Sequence, residues 1–395
     1  MEDGAPVERV DIRQAQYADL FERSANERRI LSIIKSAGGL SSAEIARLAE
    51  LSAQSASVIT RALEADGLIQ KGEPSRGKVG KPLTPFLLNP SGAFSVGLRI
   101  GRRSAEMVLM NFSGEVQGNI RTTYPFPTPP ALVDFAAMGL GNLVGSLPPE
   151  ARSRIVGLGV GMPFEIWNWP ELESTPSDEL LAWRDFDLAG AFADFTDLPV
   201  LVANDSSMAC NGEHAFGGGA GQTDFVYLYV GSLVGAGVVL NNRVYLGPKG
   251  NAAAYGSLPV LGSDGTWRQL NTQASLIQLE EALRARWPDR ASALLQSDDW
   301  AGFDDLLEPW FERTADGLAY AALSAVVAFD LPQVVIDCSA PPAIRAELVA
   351  RVTTAIGKAD TRGIDVPSVV QGKFGRYAGA LGSAFQPIAQ KLLQE

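Results

Sequence analysis

The chain has 395 residues, 46% of them hydrophobic and 20% charged, with a formal net charge of -12 at pH 7. This length calls for two or three packed units, and the balance of residues excludes a disordered or fibrous chain. The acidic surplus argues against indiscriminate nucleic-acid binding, no apolar run approaches the roughly 20 residues of a membrane span, and the polar start lacks the order of a secretory signal. A cytoplasmic location is therefore expected. Cys210 and Cys338 can build neither a disulfide framework nor a cysteine zinc cluster, and both are expected to be buried.

Residues 1–25 read as a poorly packed arm. In SANERRILSIIKSAGG, Ser24 stands three residues before Glu27 and Asn26 can also cap; Ile30, Ile33, Ile34 and Ala37 recur at helical spacing until Gly38 and Gly39. Ser41 and Glu44 repeat the capping spacing before a short helix. Ser52 then opens a third helix, with Val58, Ile59, Ala62 and Leu63 as its expected buried stripe. LIQKG and GKPLTPFLLN follow as two short strands around a basic loop.

This order is that of a winged helix-turn-helix over residues 26–90. The local charge agrees: Asn26 to Pro90 carries nine Lys or Arg against six Asp or Glu, although the whole chain is acidic. The third helix is expected in the major groove, presenting Ser52, Gln54, Ser55, Ser57 and Arg61, with Gln54 suited to an adenine edge. Lys71, Arg76, Lys78 and Lys81 would meet phosphates or the groove from the wing. The bland alternative is a small helical bundle for protein contacts.

After Pro90 strands alternate with helices. AFSVGLRI, EMVLMNF and GEVQGNIRTTYP read as hairpin strands, ALVDFAAMGLGNLVGSL as an amphipathic helix, and RIVGLGVGMP and PVLVAND as buried strands. The pattern restarts with DFVYLYVGSLVGAGVVLNNRVYLG, then helices between Ser275 and Val327, then QVVIDCSA, and GRYAGALGSAFQPIAQKLLQ closes as a helix with small residues on one face. Two similar halves imply two α/β lobes with a cleft between them: residues 91–212 with the terminal helix from about 370 to 395, and residues 213–369.

These segments resemble the ROK family of sugar kinases and sugar-responsive repressors, over nearly the whole chain from about Asn26. ELSAQSASVITRALEADGLI is similar to the family's repressor-type helix-turn-helix, VGLRIGRRSAEMVLMNFSGEV to its first phosphate hairpin, and GLGVGMP to the strand before its sugar pocket. LAWRDFDL resembles a Trp-bearing segment, VANDSSMACNGEHAFG the Asn-Asp stretch, and GSLVGAGVVLNNRVYLGPKGNAAAYGS the second phosphate loop and sugar-contact segment. The resemblance implies an α/β chain with an N-terminal winged helix-turn-helix and a two-lobed actin-like (ribonuclease H-like) domain.

Its departures fall on the kinase chemistry. Arg99 stands where the family's kinases carry an Asp, Ser232 and Leu233 intrude on the glycine-rich loop, and Asp337 and Cys338 replace a glycine pair before the adenine site. Ala254 and Ser257 replace a Glu and a His of the sugar-contact segment, and the family's cysteine zinc motif is missing, so neither metal nor cofactor is expected. Asn204 and Asp205 remain at a strand end facing the cleft. Asp205 either accepts a sugar hydroxyl's hydrogen bond, caps the next helix, or acts as a kinase general base.

Trp167 and Trp169 either stack on a sugar face or anchor a loop. Arg99, Arg102 and Arg103 form either an anion site, for instance for a phosphorylated sugar, or a solvated hairpin tip or an ion pair with the acidic second lobe. Glu213 is expected in helix packing or solvent, His214 as a satisfied histidine, and Gly217 to Gly221 as a turn. The resulting expectation is a repressor of carbohydrate genes without kinase activity, bound to operator DNA as a homodimer or dimer of dimers and controlled by a sugar effector at Asn204, Asp205 and Trp167. An active kinase with an atypical ATP site and a ligand-independent DNA-binding protein are the alternatives.

Overall fold

The computed structural model describes residues 21–74, 84–168, 177–262, 265–290, 294 and 297–394. The chain enters through α1 (Ala25–Ala37), capped at Ser24: its hydroxyl accepts from Glu27 N while the Glu27 carboxylate accepts from Ser24 N. This reciprocal box, and not Asn26, satisfies the first-turn donors. The same box at Ser41 and Glu44 opens α2 (Ser42–Leu48), and the Ser52 hydroxyl opens α3 (Ala53–Ala65).

The inner face of α3 differs from the expected stripe. Ala56, Thr60 and Leu63 are buried, whereas Val58 and Ala62 face outward. Thr60 can be buried because its hydroxyl donates to Ala56 O at 2.8 Å, which removes the cost of an unpaired polar group. A short antiparallel hairpin, β1 (Ile69–Lys71) with β2 (Phe86–Leu88), completes the unit.

Within the segment expected to be a loose arm, Phe21 and Arg23 are packed. Phe21 is buried in the same core as Ile30, Leu31 and Ile34, and Arg23 pairs with Asp66 at 2.6 Å. Residues 1–20 lie outside the described residues.

The rest is built on two five-stranded sheets of the same design. In the first, β3 (Phe94–Ile100), β4 (Ser104–Asn111) and β5 (Val116–Thr123) form an antiparallel meander, to which β6 (Ile155–Met162) and β7 (Val200–Asn204) add in parallel, giving the order β5-β4-β3-β6-β7. In the second, β8 (Phe225–Val230), β9 (Val234–Leu240) and β10 (Arg243–Val244) form the meander. A small hairpin of β11 (Pro259–Leu261) and β12 (Trp267–Gln269) stands apart, and β13 (Gln333–Cys338) and β14 (Ser368–Gln371) extend the sheet as β10-β9-β8-β13-β14. The repeat in topology matches the repeat read in the strand grammar, since both meanders are followed by parallel strands that need helical crossovers.

The crossover of the first sheet is α4 (Pro129–Gly145), α5 (Asp205–Phe216) leads from the first sheet to the second, α6 (Leu276–Arg286), α7 (Asp304–Phe329) and α8 (Pro342–Lys358) serve the second, and the chain closes with α9 (Ala378–Leu392). The small residues of α9 serve backbone contact. A Cβ on Gly97 would meet Ala380 O, one on Gly159 would meet Ser383 O, and one on Gly382 would meet Met208 O, so α9 lies directly on β3, β6 and α5. Its other face belongs to the helix-turn-helix: Leu381, Phe385, Ile388 and Leu392 share one core with Ile30, Leu31, Ile34 and Leu63. The N-terminal unit is thus fused to the first lobe by a continuous apolar core.

Gly382→Ala forces a methyl onto a helix carbonyl that packing cannot move, and overpacking of this kind costs about 1–3 kcal/mol. A lowered unfolding midpoint by circular dichroism is the expected result; an unchanged midpoint shows that α9 and α5 have room to part.

Candidate functional site

Two surfaces carry the polar groups singled out from the sequence. The first is the outer face of α3, where Ser52, Gln54, Ser55 and Arg61 are exposed and Ser57 is half-buried. Ser52 is engaged in capping, with its Oγ 2.8 Å from Ser55 Oγ, and Arg61 Nε folds back to donate to Ser57 O at 3.0 Å. Between Gln54 and Arg61 stands Val58, 55% exposed. An exposed valine at this place can meet a thymine methyl; an apolar residue within a helix pattern reads first as core, so the sequence alone did not mark it. Lys71 pairs with Glu64 at 2.9 Å. Arg76, Lys78 and Lys81 lie outside the described residues, as does Trp169.

The second surface is a cleft of about 490 Å³ between the two sheets. It is lined from the first lobe by Glu165, Asn168, Asn204 and Asp205, and from the second by Leu233, Asn251, Ser257, Gln269 and Asn271. Ala254 also reaches it, so the positions where the sequence departs from the family's sugar contacts do face the cleft. Trp167 does not line it: its side chain is partly buried against the first-lobe core, as a loop anchor. Asn251, Gln269 and Asn271 are cleft residues that pattern reading missed, because a loop, the small β11–β12 hairpin and a one-turn helix carry them there. Asn271 accepts from Val234 N at 2.8 Å and so fixes the loop behind Leu233.

Asn204 and Asp205 come to the cleft by a local rule. β7 ends at Asn204, whose Oδ1 accepts from Ser206 N at 3.0 Å and Ser207 N at 3.1 Å, capping α5. The cap is therefore Asn204, and Asp205 is free of that duty. Its carboxylate instead meets Arg99, Nη2 to Oδ2 at 3.4 Å. The same guanidinium donates to Glu106 at 3.2 Å, and Glu106, almost fully buried, also receives Ser104 Oγ at 2.6 Å and Arg121 Nε at 3.3 Å. Gly379 makes room, since a Cβ there would strike the Arg99 chain. Of the ion pairs expected with the second lobe, Arg103 forms one, bridging the lobes to Glu280, whereas Arg99 pairs within its own lobe, with Glu106 and Asp205.

An arginine in this position changes what Asp205 can do. A general base must have a hydroxyl within hydrogen-bond reach, whereas the Asp205 carboxylate already has the Arg99 guanidinium as its partner. Among the described residues no group of three or more His, Cys, Asp or Glu is placed to hold a metal. The glycines that survive in the second loop have another use: a Cβ on Gly235 would meet Ser206 and one on Gly237 would meet Cys210, so they let α5 lie against β9.

Further along α5, Glu213 is wholly buried, not solvated. Its carboxylate accepts from Gly218 N at 2.6 Å, Lys373 N at 2.8 Å and Phe374 N at 2.9 Å, which ties the turn at 217–221 to the segment before α9. Asp337 is equally buried, pairing with Arg345 at 2.9 Å and accepting from Gly375 N. Burial, reinforced by Asp337, pushes Glu213 up to about 7. His214 is satisfied by Asn242 at 3.1 Å, and Cys210 and Cys338 are buried. No helix among the described residues is long and apolar enough to cross a membrane.

Comparison with known proteins adds the following. The family model described as "ROK family" matches residues 95–387, and one described as "Winged helix-turn-helix DNA-binding" matches residues 23–70. The xylose repressor of Bacillus subtilis is 20% identical over 270 residues, 65% of this chain and 68% of that protein. A glucokinase of Streptomyces coelicolor is 29% identical over 195 residues, 46% of this chain and 59% of its own length. A crystal structure of a ROK-family transcriptional regulator, described as a homolog of the E. coli MLC protein, superposes with a TM-score of 0.65 at 19% identity and covers 95% of this chain and 97% of that one.

Glu213 carries a pH signature. Its ordinary pKa of 4.5 rises to about 7 on folding, so the folded chain holds an extra proton between these values. That contribution to stability is complete below about 4.5 and is lost as pH rises through about 7, to an extent on the order of 3 kcal/mol. Denaturant midpoints measured from pH 5 to 8 should fall more steeply for this chain than for Glu213→Gln. Parallel curves would mean that Glu213 stays ionised in the fold.

Proposed function

The chain belongs to the ROK family, and from that premise we propose that it is a DNA-binding transcriptional repressor that responds to a sugar. It acts on operator DNA through α3, with Gln54, Ser55, Ser57 and Arg61 at the groove, Ser52 at its N-cap, and Arg76, Lys78 and Lys81 on the wing. The sugar is held in the cleft by Asn204 and by Asp205, the latter as a paired acceptor. Asn251, Gln269 and Asn271 join them from the second lobe in place of Trp167. Kinase activity is absent in this reading, because Arg99 occupies Asp205.

One contact supports the link between the two surfaces above all. Helix α5 has 12 residues, about 18 Å of rigid rod. Its N-terminus lines the cleft, and its last carbonyls reach the helix-turn-helix: Lys35 Nζ of α1 donates to Ala215 O at 3.0 Å and sits 4.5 Å over the Phe216 ring. A cation at a helix C-terminus meets the negative end of the dipole. Burial lowers Lys35 to about 8.

A sugar that prefers one closure of the lobes shifts the N-terminus of α5, and the rod carries the shift to α1. In a homodimer, such a shift changes the spacing of two recognition helices against half-sites about 34 Å apart. The second lobe gives the cleft its moving wall, through the bridge of Arg103 to Glu280.

Purified protein should bind the DNA upstream of its own gene about 1,000-fold more tightly than scrambled DNA at near-physiological salt. Equal binding to both would remove the repressor reading and make sugar-dependent ATP turnover the next assay. Lys35→Met keeps the length and apolar stem but removes the cation from the end of α5. DNA and sugar affinities measured singly should survive, while the fall in DNA affinity caused by a releasing sugar shrinks about tenfold. Undiminished release in this variant would mean that α5 is not the route.

A further inference from the structure

The far end of α3 is held by groups from outside the helix-turn-helix. The helix closes at Asp66, its C-cap, and the chain turns at Gly67. Carbonyls at a helix end find no partner within the helix; here their donors come from the domain boundary and from the first lobe. Asn89, between β2 and β3, donates through Nδ2 to Gly67 O at 2.7 Å and through its backbone N–H to Leu68 O at 2.9 Å. Arg154, the residue before β6, donates through Nη1 to Asp66 O at 3.2 Å and to Gly92 O at 3.0 Å. The Asp66 carboxylate is engaged elsewhere, by Arg23 at 2.6 Å. Gly67, with a φ of 69° excluded to most side chains at its neighbour Gly38 and 73° here, admits the guanidinium closely, since a Cβ on it would stand 3.2 Å from Arg154 Nη2.

We propose that Arg154 is a positioning residue for operator recognition, which fixes the angle of α3 on the first lobe and with it the spacing of the two recognition helices in a homodimer. The inference rests on the chain being a DNA-binding repressor. The core shared by α1 and α9 joins the two units, but apolar contact is non-directional and lets one surface turn on another. Hydrogen bonds weaken steeply once misaligned, so the two from Arg154 resist that turn. The arginine is itself fixed, because its N–H donates to Ala151 O at 3.0 Å and its carbonyl accepts from Phe94 N of β3 at 2.8 Å. From Arg154, β6 runs for 8 residues, about 26 Å, and the chain then reaches the cleft wall at Phe164 and Glu165. The end of the recognition helix and one wall of the cleft are thus attached to the same strand. This joint is separate from that of Lys35, which ties α5 to α1 and leaves α3 untouched.

The test is selection of bound sites from a random DNA pool by the full chain and by Arg154→Gln, with the fold of the variant verified by its melting curve. The unaltered chain should select two half-sites at one spacing, and the variant the same half-sites at several spacings. On a duplex with the first spacing, Arg154→Gln should bind about tenfold more weakly, while its affinity for scrambled DNA and its salt slope stay as they were. Arg154→Lys keeps the charge but loses the planar fork, and should fall between the two. One spacing at undiminished affinity in both variants overturns the inference. So does a changed half-site sequence, which places the effect inside α3, or a salt slope lowered by about one, which makes Arg154 a phosphate contact. An unaltered chain that selects a lone half-site also overturns it but leaves DNA binding by α3 intact. One that selects no site loses the repressor reading, and the inference with it.

Discussion

One guanidinium organises the centre of this molecule. Arg99 stands on β3, reaches Glu106 on β4 and Asp205 at the start of α5, and lies under Gly379 of α9. It joins four elements in a place too dry for any of these charges to stand alone; removing one member of a buried ion pair strands the other at a cost of about 3–5 kcal/mol. The first hairpin, the helix that bears the cleft carboxylate and the terminal helix are therefore one rigid body. The same pairing occupies Asp205.

That rigidity gives the cleft access to the DNA-binding unit. Packed interiors do not deform gradually; they move as blocks between alternative seatings. With α9 lying on β3, β6 and α5 at backbone distance, a displacement at the N-terminus of α5 has no soft layer in which to dissipate before it meets Lys35 and the core shared by α1 and α9. The second sheet packs on this body through α5, where Ala209 and Cys210 share a buried core with Phe225, Tyr227, Tyr229 and Val239, and through the bridge of Arg103 to Glu280. The cleft between the lobes is where a ligand can tell two closures apart.

The duplicated sheets show how glycines of a shared frame can serve packing. Gly235 and Gly237 remain in the second loop, but what requires them is the approach of α5 to β9, not the approach of a phosphate to backbone donors. Where backbone amides would be expected to receive a phosphate, Leu233 lines the cleft. Two buried carboxylates, Glu213 and Asp337, then tie the turns around α9 through backbone donors.

The sequence by itself determined what depends on neighbours a few residues apart. The capping boxes at Ser24 and Ser41, the repeated meander and the Asn-Asp strand end are local patterns of hydrogen bonding and alternation, so they could be read from the chain alone. It could also locate the departures at Arg99, Leu233 and Ala254. Only the tertiary structure decided what those residues meet. That Arg99 faces Asp205, that Trp167 turns into a core, that Val58 faces outward, that Phe21 is packed and that Glu213 is buried all depend on which faces of distant elements come together. Periodicity along one element specifies that face to within part of a helical turn, and a side chain's partner changes completely over that interval. The fate of a charge is thus settled by contacts far apart in the chain, while the start of a helix is settled by its own first turn.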